Sequence, residues 1–221
     1  MSLTIRNLRK SYQQGDQKID ILKGLEVEIP EGQLVSILGR SGSGKSTLLS
    51  LLAGLESADG GQILVDGEDL VQMNERQLTA FRAHKISLVF QQYHLVSHLT
   101  AIENVVLPLE ILGRHQETAK ATKLLEELGL GHRLHHTPGQ LSGGECQRVA
   151  IARALVVEPK VLLADEPSGN LDVHTGDKVM DLFFDIARKH RITTLLVTHS
   201  ESLARRCDKI YRLSEGTFQE G

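Results

Sequence analysis

Gly39-Arg40-Ser41-Gly42-Ser43-Gly44-Lys45-Ser46 stands between an apolar, strand-like run at 34–38 and a helical pattern at 45–53. The pattern G-x-x-x-x-G-K-S, set where a strand hands over to a helix, is a phosphate-binding loop. Glycines let successive backbone N–H groups curl around an anion without Cβ clashes, and the following helix turns its positive end to the same place. A triphosphate fits that cradle. Lys45 is placed to reach the β- and γ-phosphates, Ser46 to offer its hydroxyl oxygen to Mg²⁺, and Thr47 to support the α-phosphate side.

Outward from the loop, strand-like runs recur at 3–5, 25–29, 63–65, 86–90, 161–164, 193–197 and 209–213. Helical patterns lie at 75–83, 118–128, 145–156, 175–190 and 201–205, several closed by Gly or Pro. Strands alternating with helices predict an α/β fold with a mainly parallel core sheet. The first 70 residues are strand-rich and carry the turn formers Pro30-Glu31-Gly32 and Asp66-Gly67, which predicts an N-terminal antiparallel β subdomain. From about 95 to 159 the chain reads almost wholly as helix. The expected organisation is one domain over 1–221, with a nucleotide-binding core from 1–90 and 160–221 and an inserted helical lobe at 91–159.

Composition narrows the classes. With 221 residues, 40% hydrophobic, 24% charged and a net charge of -3, the chain is neither disordered nor a disulfide scaffold. Lys+Arg total 25 against 28 Asp+Glu, so the basic excess that drives general nucleic-acid binding is missing. The longest charge-free run, 86–102, contains Gln91, Gln92, His94 and His98, which hydrocarbon would not tolerate, and no membrane span is expected. The N-terminus lacks the basic, apolar and small-residue succession of a secretion signal, which makes the cytoplasm the expected compartment. Cys146 and Cys207 stand in no metal-ligand spacing and read as free thiols. His132, His135 and His136 lack carboxylate or Cys partners and read as a solvated segment.

Two further elements carry chemistry. Val161-Leu162-Leu163-Ala164-Asp165-Glu166 is an apolar strand delivering two carboxylates at its C-terminal end. Asp165 is placed to bind Mg²⁺, and Glu166 to orient or deprotonate the water attacking a γ-phosphate. Leu141-Ser142-Gly143-Gly144-Glu145 opens a helix; Ser142 and the amides of Gly143 and Gly144 form a second anion grip. Two grips in one chain suit a two-fold dimer in which each copy completes its partner's site.

With these motifs in this order, the chain resembles the ATP-binding cassette family over nearly its whole length. The resemblance implies a P-loop (RecA-like) core, ATP and Mg²⁺ as ligands, and ATP hydrolysis. It implies that Tyr12 stacks on adenine and that Gln91 senses Mg²⁺ and the attacking water, with adjacent Gln92 leaving an ambiguity. It implies that Ser168-Gly169-Asn170-Leu171-Asp172 crosses the dimer interface through Asp172, and that His199, in Val197-Thr198-His199-Ser200, contacts the γ-phosphate. The implied site is then Tyr12, Gly39, Arg40, Ser41, Gly42, Ser43, Gly44, Lys45, Ser46, Thr47, Gln91, Asp165, Glu166, Asp172 and His199, completed by Ser142, Gly143 and Gly144 of a second copy.

Phe90-Gln91-Gln92-Tyr93-His94-Leu95, Leu99-Thr100-Ala101-Ile102-Glu103-Asn104-Val105 and Glu166-Pro167-Ser168-Gly169-Asn170 are similar to a bacterial branch with lipoprotein-releasing, macrolide-exporting and cell-division ATPases. That likeness implies a separate membrane permease with a large extracytoplasmic domain and a chain held on the inner face of the cell membrane. The alternative within the branch is a regulatory or scaffolding ATPase that times an envelope assembly and moves no cargo. Cys146 and Ser168 depart mildly from the branch, which more often has Arg or Gln and Thr there.

Overall fold

The computed structural model describes residues 3–220. The chain opens with a long antiparallel ribbon, β1 (Leu3–Gln14) and β2 (Gln17–Ile29), paired out to Gln14 opposite Gln17. With β4 (Gly60–Val65) and β5 (Glu68–Asp69) it forms a four-stranded antiparallel sheet in the order β2-β1-β4-β5. The short runs expected at 3–5 and 25–29 are the inner ends of this ribbon. Its outer part is largely exposed and its one short alternation, Ile19 and Ile21 on either side of Asp20, is too brief to mark a strand of this length, so backbone pairing continues the strands.

Between the ribbon and β4 the chain enters the core sheet through β3 (Leu34–Leu38), followed by α1 (Lys45–Leu52). After β5 come α2 (Glu75–Lys85) and β6 (Ile86–Val89). The remaining core elements are β7 (Val161–Asp165), α6 (Val173–Lys189), β8 (Thr193–Thr198), α7 (Glu201–Ala204), β9 (Lys209–Ser214) and β10 (Thr217–Glu220). The six strands run in the order β10-β9-β3-β8-β7-β6, all parallel except the edge strand β10. β10, absent from the expected strands, is a four-residue return hairpin too short and polar to stand out. The mainly parallel core sheet and the N-terminal antiparallel sheet are those expected.

β7 and β8 are buried on both faces and carry consecutive apolar residues, at 161–164 and 195–197, flanked in β8 by buried threonines, as central parallel strands do. Their side chains sort by the period of two. Val161, Leu163, Leu195 and Val197 join α1 and the antiparallel sheet, whereas Leu162, Ala164 and Leu196 face the helices on the other side. Those helices include α3 (Ala101–Ile111), α4 (Thr118–Glu127) and α5 (Gly143–Leu155). Ala101, Val105 and Leu109 of α3, Leu125 of α4 and Val149 and Ile151 of α5 belong to one cluster with Val89, Leu196 and Phe183. The helical stretch therefore shares its core with the sheet.

α3 was not separated from the general helical reading of this region. Thr100 caps it in a reciprocal box with Glu103, and the fully buried Asn104 ties the preceding loop down. The Asn104 amide donates to the carbonyls of Val96 and Leu99 at 3.1 and 3.0 Å, and its oxygen accepts from the Val96 N–H at 2.8 Å. No helix of the described residues is long and apolar enough to cross a membrane.

Candidate functional site

The phosphate loop hangs between β3 and α1. Gly44 takes φ 99° at the helix start, a conformation that strains any residue with a Cβ, so the chain turns sharply enough to present the first helical N–H groups. Gly39 answers a different need. A Cβ there would lie 2.5 Å from Ser43 Oγ and 2.8 Å from the Leu213 carbonyl, so the loop closes only over a bare backbone. Lys45 is folded back into this loop, its ammonium donating to the carbonyls of Gly39 and Arg40 at 2.7 and 2.9 Å. An ammonium carries three donors, and the third is available to an anion.

A cleft of about 480 Å³ brings together Ser41, Gly42, Gly44, Lys45, Ser46, Thr47, Gln91, Asp165, Glu166 and His199, with Ile21 from the ribbon. Gly39, Arg40 and Ser43 line an adjoining hollow that shares Ser41, Gly42 and His199 with the first. Residues from three distant parts of the sequence meet because β3, β7 and β8 are parallel neighbours, whose C-terminal ends all open on one edge.

Asp165 ends β7 and is half-buried. Desolvation pushes its carboxyl above the usual range, Glu166 next door adds to this, and Lys45 opposes it. Asp165, Ser46 and Gln91 all line the same cleft; the carboxylate, hydroxyl and amide oxygens they carry are hard donors that fit magnesium, which takes a few protein oxygens and fills the rest with water and phosphate.

Glu166 adopts φ 45°, a left-handed turn uncommon outside glycine, and its N–H donates to the Val197 carbonyl at 3.0 Å. This turn lifts the carboxylate off the strand and over the cleft. One oxygen lies 2.8 Å from His199 Nδ1, and the other accepts from Thr198 Oγ1 at 3.2 Å. An ionised carboxylate can only accept, so Nδ1 is the donor in the first contact. Thr198, to which the sequence gives no role, thus helps orient the carboxylate.

Tyr12 stands on the exposed part of the ribbon, 39% accessible, with its hydroxyl donating to Glu56 at 2.7 Å and Lys10 over its ring. Gln91 pairs with Asn170: its Nε2 donates to Asn170 Oδ1 at 2.9 Å, and Asn170 Nδ2 donates to the Gln91 carbonyl at 3.0 Å. Sequence reading took Asp172 from this segment and overlooked Asn170. Asp172 instead caps α6, accepting from the Thr175 N–H at 3.0 Å, and does not line the cleft.

Ser142, Gly143 and Gly144 also lie outside the cleft. Ser142 caps α5 in a reciprocal box with Glu145, whose N–H donates to Ser142 Oγ at 3.3 Å while its carboxylate accepts the Ser142 N–H at 2.8 Å. Arg133, a third residue without a sequence signal after Thr198 and Asn170, donates to Glu145 at 3.0 Å and so supports the box. Neither thiol lines the cleft: Cys146 follows Glu145 in α5, its N–H donating to the Ser142 carbonyl at 2.8 Å, and Cys207 is driven up to about 12 by burial.

The comparisons with known proteins settle the family. Residues 22–169 match the ABC transporter family. The chain belongs to the ABC transporter family. It is an ATPase of that family, and its relatives match from end to end. The ATP-binding protein LolD of a lipoprotein-releasing system in Geobacter metallireducens is 46% identical over 216 residues, covering 97% of this chain and 96% of that protein. An uncharacterized ABC transporter ATP-binding protein, YbbA of Escherichia coli, is 47% identical over 218 residues, or 98% and 96%. The dimeric structure of MJ0796, a bacterial ABC transporter cassette, superimposes with a TM-score of 0.87 at 38% identity, covering 99% of this chain and 97% of that one. A second MJ0796 structure, a post-hydrolysis dimer bound to ADP and Pi, gives a TM-score of 0.85 at 37% identity.

Membership gives Lys45 a direct test. Lys45→Ala is expected to weaken binding of a fluorescent ATP analogue by about 10- to 100-fold, the worth of one or two charge-assisted hydrogen bonds. Binding within threefold of the parent would remove Lys45 from the phosphate cradle.

Proposed function

We propose that two copies of this chain close head to tail on two ATP molecules, hydrolyse them, and by opening again drive a separate membrane permease. One observation carries the reading: Ser142, Gly143 and Gly144 stand at the N-terminus of α5, a place suited to an anion, and take no part in the chain's own cleft. A second copy in two-fold relation can bring that helix start to the γ-phosphate, and the dimeric cassettes of MJ0796 support this arrangement.

In the proposed cycle, Lys45 and the loop amides hold the triphosphate, and Tyr12 stacks on adenine. Ser46, Asp165 and Gln91 would hold magnesium, which supplies charge neutralisation at the β- and γ-phosphates when bound. Glu166 accepts a proton from the attacking water as the new P–O bond forms. The bond from γ-phosphorus to the bridging oxygen breaks and its electron pair leaves with ADP. His199 and Thr198 keep the carboxylate aimed at that water. Asp172 joins the interface through the loop it ends. Free energy for the permease comes from the difference in ATP affinity between closed and open dimers.

The LolD and YbbA likenesses support a bacterial cassette working with a permease in export, lipid or lipoprotein extraction, or force transmission across the membrane. The chain then sits peripherally on the cytoplasmic face through that permease, whose extracytoplasmic part would be large. The core at 1–90 and 160–221 would stay with the nucleotide while the lobe at 91–159 moves.

Mixing two impaired variants tests the shared site. Ser142→Asp keeps a good helix cap but sets a negative charge where the partner's γ-phosphate belongs. Glu166→Gln lacks the base. In mixed dimers one site has an intact Glu166 and faces an intact Ser142. An equimolar mixture should recover about one quarter of the parent rate, because half the dimers are mixed and each holds one competent site. No recovery in a mixture that forms dimers would overturn the shared site.

A further inference from the structure

Gln91 can serve a cation only through its amide oxygen, yet an exposed glutamine on a loop can present either end of the amide to the cleft. The contacts with Asn170 remove that freedom. The Gln91 main-chain carbonyl can only accept, so Asn170 must turn its Nδ2 toward it, and the two lie 3.0 Å apart. Asn170 Oδ1 is then the atom left facing the Gln91 side chain. An oxygen accepts, so Gln91 must offer Nε2, which it does at 2.9 Å. The Gln91 Oε1 is thereby the end left free of Asn170, and it is the end with lone pairs for a metal.

Gly169 completes the arrangement. A Cβ there would fall 2.8 Å from Gln91 Nε2 and 3.0 Å from its Cδ, so the amide lies flat against the bare glycine backbone. The glycine is not held at positive φ, and the clash is with the far end of a flexible side chain. A methyl group at 169 would therefore displace the Gln91 amide while leaving the main chain unstrained.

We propose that Asn170 is a positioning residue that fixes the polarity of the Gln91 amide, presenting Oε1 to the magnesium of bound ATP. Asn170 belongs to the loop between Glu166 and α6, and Gln91 to the loop leading toward α3. Their reciprocal bonds tie metal ligation to the position of the 168–172 loop, so a shift of that loop frees the amide. The inference rests on the proposed role of Gln91 as a metal ligand.

The test measures how much Mg²⁺ tightens binding of a fluorescent ATP analogue to the full chain carrying Glu166→Gln, which keeps turnover out of the readout. In that background Gln91→Ala should reduce the Mg²⁺-dependent gain about fivefold, roughly one net hydrogen bond or ligand contact. Asn170→Leu, close in size but without polar atoms, and Gly169→Ala should each reproduce most of that loss while leaving Mg²⁺-free binding unchanged. Combined with Gln91→Ala, neither should add to it, because both act through the same amide. Three results would overturn the proposal. A Mg²⁺ gain at the parent level in Asn170→Leu, with Gln91→Ala lowering it, removes Asn170 alone. Losses that add in the double variants make Asn170 independent of Gln91. An intact gain in Gln91→Ala overturns the reading of Gln91 as a ligand and the proposal with it.

Discussion

Glu166→Gln should lower the rate of phosphate release by at least about a hundredfold, the lower end of what a positioned general base contributes. Glutamine keeps the length of the side chain; its one oxygen can accept from His199 Nδ1, and its amide N–H can donate to the Thr198 hydroxyl, which also accepts, so the cleft keeps its shape. It cannot take up the proton of the attacking water. Nucleotide binding should survive, and an ATP-dependent dimer should accumulate on gel filtration because the step that opens it is blocked. Turnover within about threefold of the parent would mean that another group accepts the proton.

The second large effect concerns stability. Phe183 of α6 is fully buried and packs edge to face on Phe184, their ring centroids 5.7 Å apart. It belongs to the cluster that includes Val89 and Leu196 of the sheet and Leu109 and Leu125 of α3 and α4. Phe183→Ala removes the ring and leaves a cavity, which costs about 3–5 kcal/mol in a well-packed core. For a chain of this size that corresponds to a fall in Tm of about 10 °C, read by calorimetry or circular dichroism. Since sheet and helices share the cluster, they should lose stability in one transition. A fall confined to one of two resolved transitions would show that the helical stretch melts by itself.

Much of this could be read from sequence, for identifiable reasons. The phosphate loop carries its chemistry within eight residues, Gly39 to Ser46, so local spacing suffices. β7 and β8 are central, with consecutive apolar residues at 161–164 and 195–197, and their identity does not depend on register. The outer ribbon escaped because its largely exposed residues leave too brief an alternation to detect. At the site, Glu166 was legible from its place after an apolar strand and His199 only through the family resemblance, but the bond between them depends on β7 and β8 being neighbours. Asn170 and Thr198 were missed because each works by orienting another side chain. That role is a matter of partners, and Asn170 lies 79 residues from Gln91. Arg133, twelve residues before Glu145, escaped for the same reason.

The pairing of Asp165 with Val197 places the ends of β7 and β8 side by side, and Glu166 and Thr198 follow directly from them. The Glu166 carboxylate and the Thr198 hydroxyl are thus carried at the ends of two buried neighbouring strands, whereas Gln91 and Asn170, which also meet at this edge, stand on exposed loops. Loops tolerate change more readily than central strands do, so sequence drift can reach the Gln91–Asn170 contact more easily than the placement of Glu166 beside Thr198.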